Sequence, residues 1–288
     1  MKLTAILPIF DDAVLAQDLQ IISRAFAGKD IHLIGLFISP PEEQLYSVAP
    51  YTAAAYAISK DVLAERRAKL QTVIKSCEQT FGALQLPAGS TSEWREQEGL
   101  ASQVLSEHVL FADIVILMGR TSAIDRQDLG FDYNADLLSH LITKTPVSAL
   151  LLPEEGLAHP VFSAPLLAWK ASPESAAAVR TASRILPSET KVMLATVAKP
   201  PVADAAFGSW SAAEITRYLQ RAGLEVEEQV IALRSGSVAQ ALRQAADLKD
   251  ASLIVAGGYG RQKWLETLLG GVTRELVANS RLPLLFAH

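Results

Sequence analysis

The stretch that decides the fold is residues 252–286, SLIVAGGYGRQKWLETLLGGVTRELVANSRLPLLF. Residues 253–256 form a short apolar run that predicts a buried strand. Two glycine groups follow, Gly257-x-x-Gly260 and, after nine further residues, Gly270-Gly271. Glycine lets the backbone turn tightly and approach a ligand. A strand followed by glycines at the start of a helix therefore predicts backbone N–H groups directed at a phosphate.

Outward from this stretch, the chain alternates predicted strands and helices in two similar series. Gly99 and Pro146 in the first series lie 137 residues before Gly236 and Pro283 in the second. Such alternation predicts an α/β fold, with parallel strands, right-handed crossovers and helices on both faces of the sheet. Residues 153–160, PEEGLAHP, predict a linker. We therefore predict two domains, at residues 1–153 and 160–288.

Composition excludes several classes of protein. The 288 residues are 50% hydrophobic with a formal net charge of -5, and no Lys/Arg cluster predicts a nucleic-acid surface. The single cysteine, Cys77, rules out a disulfide within the chain and fits a reducing compartment. The N-terminus is typical of a first strand rather than a signal peptide, and no apolar run is long enough to cross a membrane. We therefore expect a cytoplasmic protein without a membrane segment.

The glycine-rich stretch resembles the C-terminal signature of the universal stress protein family, whose nucleotide-binding members carry G-x2-G-x9-G-[S/T]. The whole chain then resembles two such domains in tandem. The resemblance implies two Rossmann-like (HUP-type) domains, each a five-stranded parallel sheet of strand order 3-2-1-4-5. It also implies that the halves pair through their last strands as an internal pseudo-dimer; a further homodimer is left open.

The resemblance implies a binding site for ATP or another adenine nucleotide in the C-terminal half. The phosphate cradle would be formed by the glycines of the motif: Gly257, Gly260, Gly270 and Gly271. Two departures from the family pattern change this site. Gly271 stands where the family has Ser or Thr, so Thr273 either replaces that hydroxyl or caps the helix. Lys170 stands where the family has an adenosine-binding Asp, so it either faces the phosphates or points to solvent.

The N-terminal half departs further from the family pattern. Ser122 aligns with the second glycine of the motif, Tyr133-Asn134 with the glycine pair, and Asp136 with Thr273. A ring and a carboxylate disfavour an anion there, so Asp11 or Asp12 at the first strand end would lack a phosphate cradle beside it. We expect this half to be structural or to bind another ligand through residues 42–57, an irregular insert with three tyrosines.

The resemblance implies a stress-response protein, and no residue pair indicates a catalytic site. We expect no enzyme activity beyond very slow ATP hydrolysis, because no general base or metal-holding acid accompanies the glycines. The first alternative is a scaffold module that binds protein partners without nucleotide. The second, an adenylating or thiolating enzyme, would need an S-G-G-x-D-S-like loop after a first strand, which residues 11–13 and 170–172 lack. The third is a small apolar ligand bound between the halves.

Overall fold

The computed structural model describes residues 2–41, 53–119, 133–198, 212–258 and 271–288, with side chains throughout these ranges except at 53–63 and 133–136. Strands and helices alternate through the N-terminal half as the sequence predicts. Its elements are β1 (Leu3–Ile9), α1 (Leu15–Ala25), β2 (Ile31–Ser39), α2 (Ala53–Gly82), β3 (Thr91–Glu98), α3 (Ala101–His108), a 3₁₀ turn (Val109–Phe111), β4 (Ile114–Gly119), α4 (Tyr133–Lys144) and β5 (Ser148–Pro153).

The C-terminal half repeats this alternation. Its elements are β6 (Pro165–Trp169), α5 (Pro173–Ile185), β7 (Lys191–Ala198), α6 (Ala212–Arg221), β8 (Glu225–Ala232), α7 (Val238–Leu248), β9 (Leu253–Gly257), α8 (Gly271–Asn279) and β10 (Leu284–Ala287). Helix α5 has the predicted start, because Pro173 is its first residue and the Ser175 N–H donates to the Ser172 hydroxyl over 3.2 Å. Helix α7 begins in the same way after Ser237.

The described strands form one ten-stranded sheet in the order β3-β2-β1-β4-β5-β10-β9-β6-β7-β8. Within each half the order is third, second, first, fourth, fifth, and all neighbours there are parallel. The halves meet where β5 and β10 pair antiparallel, with Leu151 opposite Leu284 and Ala149 opposite Phe286. The predicted α/β fold class is confirmed, and the two last strands pair as the resemblance implies.

Helices cover both faces of the sheet, and each face buries one apolar core that spans the two halves. On one face, α1 and α5 pack over a cluster that includes Phe26, Phe162 and Leu167. On the other face, α4 and α8 pack over a cluster that includes Leu138 and Phe286. Side chains of a strand alternate between faces, so neighbouring residues of one strand enter different cores. Because each core is shared, the halves are joined by apolar packing as well as by the β5–β10 ladder.

The residues that follow the predicted linker contact both halves of the chain. Val161 and Phe162, just beyond the predicted residues 153–160, are 0% and 4% exposed. The Phe162 ring packs edge-on against Phe26 with 5.7 Å between centroids, and the Val161 N–H donates to the Ala25 carbonyl. The Val161 carbonyl accepts from the Ser252 hydroxyl of the C-terminal half over 2.8 Å. This segment therefore touches both halves, and the division into domains 1–153 and 160–288 stays a prediction.

The irregular insert is shorter in the structure than the sequence predicts. Helix α2 begins at Ala53, so the expectation of an irregular segment reaching residue 57 is wrong for its last residues. Residues 42–52, with Tyr46 and Tyr51, lie outside the described residues. Among the described helices, none combines the length and the apolar composition needed to span a bilayer.

Candidate functional site

The candidate site lies where the carboxyl ends of β6 and β9 meet. These strands are parallel neighbours with Leu167 opposite Val255, and the same register continued by two residues brings Trp169 level with Gly257. The chain leaves β6 towards β7 on one side, whereas β9 and β10 lie on the other side. Strand order therefore reverses between β6 and β9, and ligands of open α/β sheets bind in the crevice outside such a switch point.

Gly257 ends strand β9 and is held by the first turn of α5. A Cβ at this position would lie 2.5 Å from the Glu174 carbonyl carbon and 2.5 Å from the Ser175 nitrogen. Both are backbone atoms, which cannot rotate away as a side chain does. Packing against α5 is thus a sufficient reason for glycine at position 257, and the predicted contact with phosphate stays a prediction.

Gly271 is the first residue of α8 and has a different environment. A Cβ at this position would meet no described atom within 4 Å outside its own helix and chain neighbours, so the described residues leave the space beside the start of the helix open. Backbone N–H groups of a first helical turn lack partners within the helix and attract anions. The structure thus provides room for a ligand beside the end of the glycine motif.

The structure describes two of the remaining predicted site residues and does not describe the other two. Thr273 is 5% exposed and is the third residue of α8 rather than its N-cap. Lys170 follows β6 directly, is exposed, and forms no hydrogen bond or ion pair with a described residue. Gly260 and Gly270 lie outside the described residues. The structure therefore brings the ends of β6 and β9 together but leaves the middle of the glycine motif without a description.

The N-terminal half has a carboxylate at the equivalent end of β1. Asp11 Oδ1 accepts a hydrogen bond from the Ala13 N–H over 3.1 Å, and Asp12 is exposed. Ser122 lies outside the described residues, as do the side chains of Tyr133, Asn134 and Asp136. The geometry of Asp11 is that of a local turn; the suggested loss of a phosphate cradle in this half stays a prediction.

A cavity in the N-terminal half was not anticipated from the sequence. It has a volume of about 410 Å³ and lies between α2 and the carboxyl ends of β2 and β3. Helix α2 lines it with Arg67, Leu70, Gln71 and Ile74, one helical face at i, i+3, i+4 and i+7 spacing. The sequence shows this helical spacing, but it does not show which strand ends lie opposite that face of α2.

Other reactive groups serve the fold. The described residues contain no group of three or more His, Cys, Asp or Glu side chains placed to hold a metal ion. His140 Nε2 lies 2.8 Å from the Ser106 hydroxyl, which itself donates to the Ser102 carbonyl over 2.7 Å. Since a hydroxyl has one hydrogen, His140 must donate to Ser106, which is the reverse of what activation of a serine nucleophile requires.

Cys77 should be unreactive in the folded protein. The residue is 0% exposed, and burial, followed by the charge of Asp12, raises the pKa of its thiol to about 11. Because only the thiolate attacks disulfides, we expect no reaction with Ellman's reagent at pH 8 over several minutes, and one thiol per chain after unfolding in urea. Rapid reaction of the native protein would contradict this burial.

Residues 166–288 match the family model described as the universal stress protein family. The match covers the C-terminal half of the chain and confirms the resemblance seen in its glycine spacing. No curated protein sequence matches the chain.

A solved structure with a similar fold matches nearly the full length of this chain. A universal stress protein from Archaeoglobus fulgidus DSM 4304 matches 99% of this chain and 95% of its own, at 13% identity and a TM-score of 0.60. A functionally unknown protein from Pseudomonas aeruginosa PAO1 matches 99% of this chain and 92% of its own, at 13% identity and a TM-score of 0.49. A universal stress protein in complex with cAMP matches 44% of this chain and 97% of its own, at 25% identity and a TM-score of 0.36. The first likeness concerns the fold alone and is consistent with a tandem arrangement.

Proposed function

We propose that the chain is a stress-response protein that binds one adenine nucleotide, in its C-terminal half. The observation that carries the proposal is the space that the described residues leave open at Gly271, at the start of α8, in the part of the chain that matches the universal stress protein family model. The glycine spacing supports it, because this spacing marks the nucleotide-binding members that the chain resembles. The position at a switch point of the sheet supports it independently.

The groups that we assign to this site suit a phosphate better than a neutral ligand. The first turn of α8 supplies N–H donors and the positive end of a helix dipole. Lys170, exposed at the end of the neighbouring strand β6, supplies a mobile positive charge. A lysine accepts no hydrogen bond, so Lys170 cannot replace the family Asp in holding adenosine. We therefore propose that the phosphates contribute most of the affinity and that the base is held weakly.

We propose binding rather than efficient turnover. Phosphoryl transfer needs a metal-holding acid and a group that orients the attacking water. Between Gly257 and Gly271 the sequence has Glu266 as its one acid and no Asp or His, and Lys170 stands at the end of β6 in place of the family Asp. ATP hydrolysis, if measured, should be very slow.

Filling the space at Gly271 tests the proposal directly. We expect Gly271→Leu to fold normally, because no described atom outside its own helix and chain neighbours lies within 4 Å of the new Cβ. Its side chain would occupy the ligand's space, so the Kd for ATP should rise tenfold or more, which is about 1.4 kcal/mol. The measurement is calorimetric titration of the full chain with ATP, ADP and AMP.

Gly82→Leu is the matched control for this experiment. Gly82, the last residue of α2, also has no atom within 4 Å of its Cβ position but lies in the N-terminal half. The control should bind ATP as the wild type does. Equal affinity of both variants would show that the space at Gly271 holds no nucleotide.

One observation favours a second function, the nucleotide-independent scaffold module. Gly257 is explained by its contact with α5, and Lys170 is exposed, as that alternative expects. If the chain is a scaffold module, titration with ATP should produce no heat for the wild type or for either leucine variant. The same experiment therefore distinguishes the two functions.

A further inference from the structure

Gly258, the first residue after β9, is held from three directions. Its N–H donates to the Ala287 carbonyl over 2.8 Å, and its carbonyl lies 3.2 Å from His288 Nδ1. A carbonyl only accepts, so the His288 ring must carry its hydrogen on Nδ1 to make this bond. The third contact is with Ile142, whose Cγ2 methyl would lie 2.5 Å from a Cβ placed on Gly258.

Ile142 belongs to the other half of the chain. It lies on α4, is 1% exposed, and is packed in the core shared by the two halves, with Leu138 and Leu141. A β-branched side chain on a helix has one strongly preferred rotamer. The methyl that faces Gly258 is thus fixed both by its own helix and by the surrounding core.

We infer that the N-terminal half positions the start of the glycine turn of the C-terminal half, the turn that begins at Gly258. Ile142 is the positioning residue. The inference rests on the proposed function, because this turn begins the proposed phosphate site. A turn that is held in place before binding loses less conformational entropy when it binds. Packing between the halves and nucleotide occupancy are therefore coupled, and the coupling acts equally in both directions.

This arrangement gives the N-terminal half a role that needs no ligand of its own. Its helix α4 ends beside β5, the strand that pairs with β10. Any change that separates the halves along this ladder also removes the methyl from Gly258. Conversely, a nucleotide that holds the turn in place strengthens the packing of Ile142.

A pair of substitutions at Ile142 isolates the contacting methyl. Ile142→Val keeps Cγ2 and loses only the terminal methyl, whereas Ile142→Leu keeps the number of carbons and loses Cγ2. We expect Ile142→Val to behave as the wild type. We expect Ile142→Leu to speed hydrogen exchange at the Gly258 amide and to weaken ATP binding about tenfold, a typical allosteric coupling.

Gly258→Ala supplies the complementary change. The φ of Gly258 lies outside the left-handed region, so an added methyl causes no backbone strain. It collides instead with the side chain of Ile142. Alone, Gly258→Ala should weaken ATP binding and speed exchange in the turn. Combined with Ile142→Leu, which clears the space, it should bind ATP more tightly than Gly258→Ala alone.

The outcomes separate this inference from the proposed function. Equal exchange and equal ATP affinity for Ile142→Leu and Ile142→Val would overturn the positioning role and leave the nucleotide site standing. Additive effects of Gly258→Ala and Ile142→Leu would also overturn it, because residues without contact do not compensate each other. Absence of ATP binding by the wild type would overturn the proposed function and, with it, the coupling.

Discussion

Phe286→Ala should lower the free energy of unfolding by about 4 kcal/mol, whereas Phe111→Ala should change it by less than ~0.5 kcal/mol. Phe286 lies on β10 and is 1% exposed; Phe111, in the turn before β4, is 93% exposed. Removing the buried ring leaves a cavity in the core that both halves share, and the β5–β10 ladder prevents the strands from closing it. Removing the exposed ring leaves no cavity.

Urea unfolding of the two variants checks this prediction. Because the same side chain is truncated in both, the difference between them reports burial alone. Similar losses of stability in the two variants would mean that β10 does not seal a shared core. A loss confined to the C-terminal half would mean that the halves unfold independently.

Gly257→Ala should lower the free energy of unfolding by about 3 kcal/mol, the upper end of what overpacking costs. The added Cβ would lie 2.5 Å from two backbone atoms of Glu174 and Ser175. Relief would require either α5 or β9 to move, and both contribute to the core beneath the site. No side-chain rotation offers a less costly adjustment.

Gly271→Ala is the control within the same glycine motif. Its Cβ would meet no described atom within 4 Å outside its own helix and chain neighbours, and alanine is the better helix former at a helical position. We expect its stability to equal or slightly exceed that of the wild type in thermal unfolding. If both substitutions cost the same, close packing does not explain Gly257, and the two glycines share one role.

The sequence predicted most elements of the fold because local signals mark them. Ser172 and Pro173 predict the start of α5, and the helix begins at Pro173 in the structure. The repeat of two strand–helix series predicted a parallel sheet in each half. The start of α2 was predicted wrongly because the local signals conflict there. Helix α2 starts at Ala53 because alanines favour a helix, although the neighbouring tyrosines and prolines indicate an irregular segment.

Contacts between distant parts of the chain could not be predicted. Composition indicated a linker at residues 153–160, but it did not show that Phe162, two residues further on, packs against Phe26 of the first helix–strand connection. The glycine motif was recognised by spacing, but spacing does not distinguish a residue that faces a ligand from one pressed against a helix. In the structure, Gly257 is pressed against the backbone of α5, whereas no described atom outside its own helix and chain neighbours lies within 4 Å of a Cβ on Gly271.

The central claim is that the chain has a single adenine-nucleotide site, in its C-terminal half. Calorimetric titration of the full chain with ATP tests it most directly, because the stoichiometry is measured together with the affinity. We expect saturable heat with one nucleotide per chain for the wild type, and binding at least tenfold weaker in Gly271→Leu. No heat at millimolar ATP, or two nucleotides per chain, would contradict it.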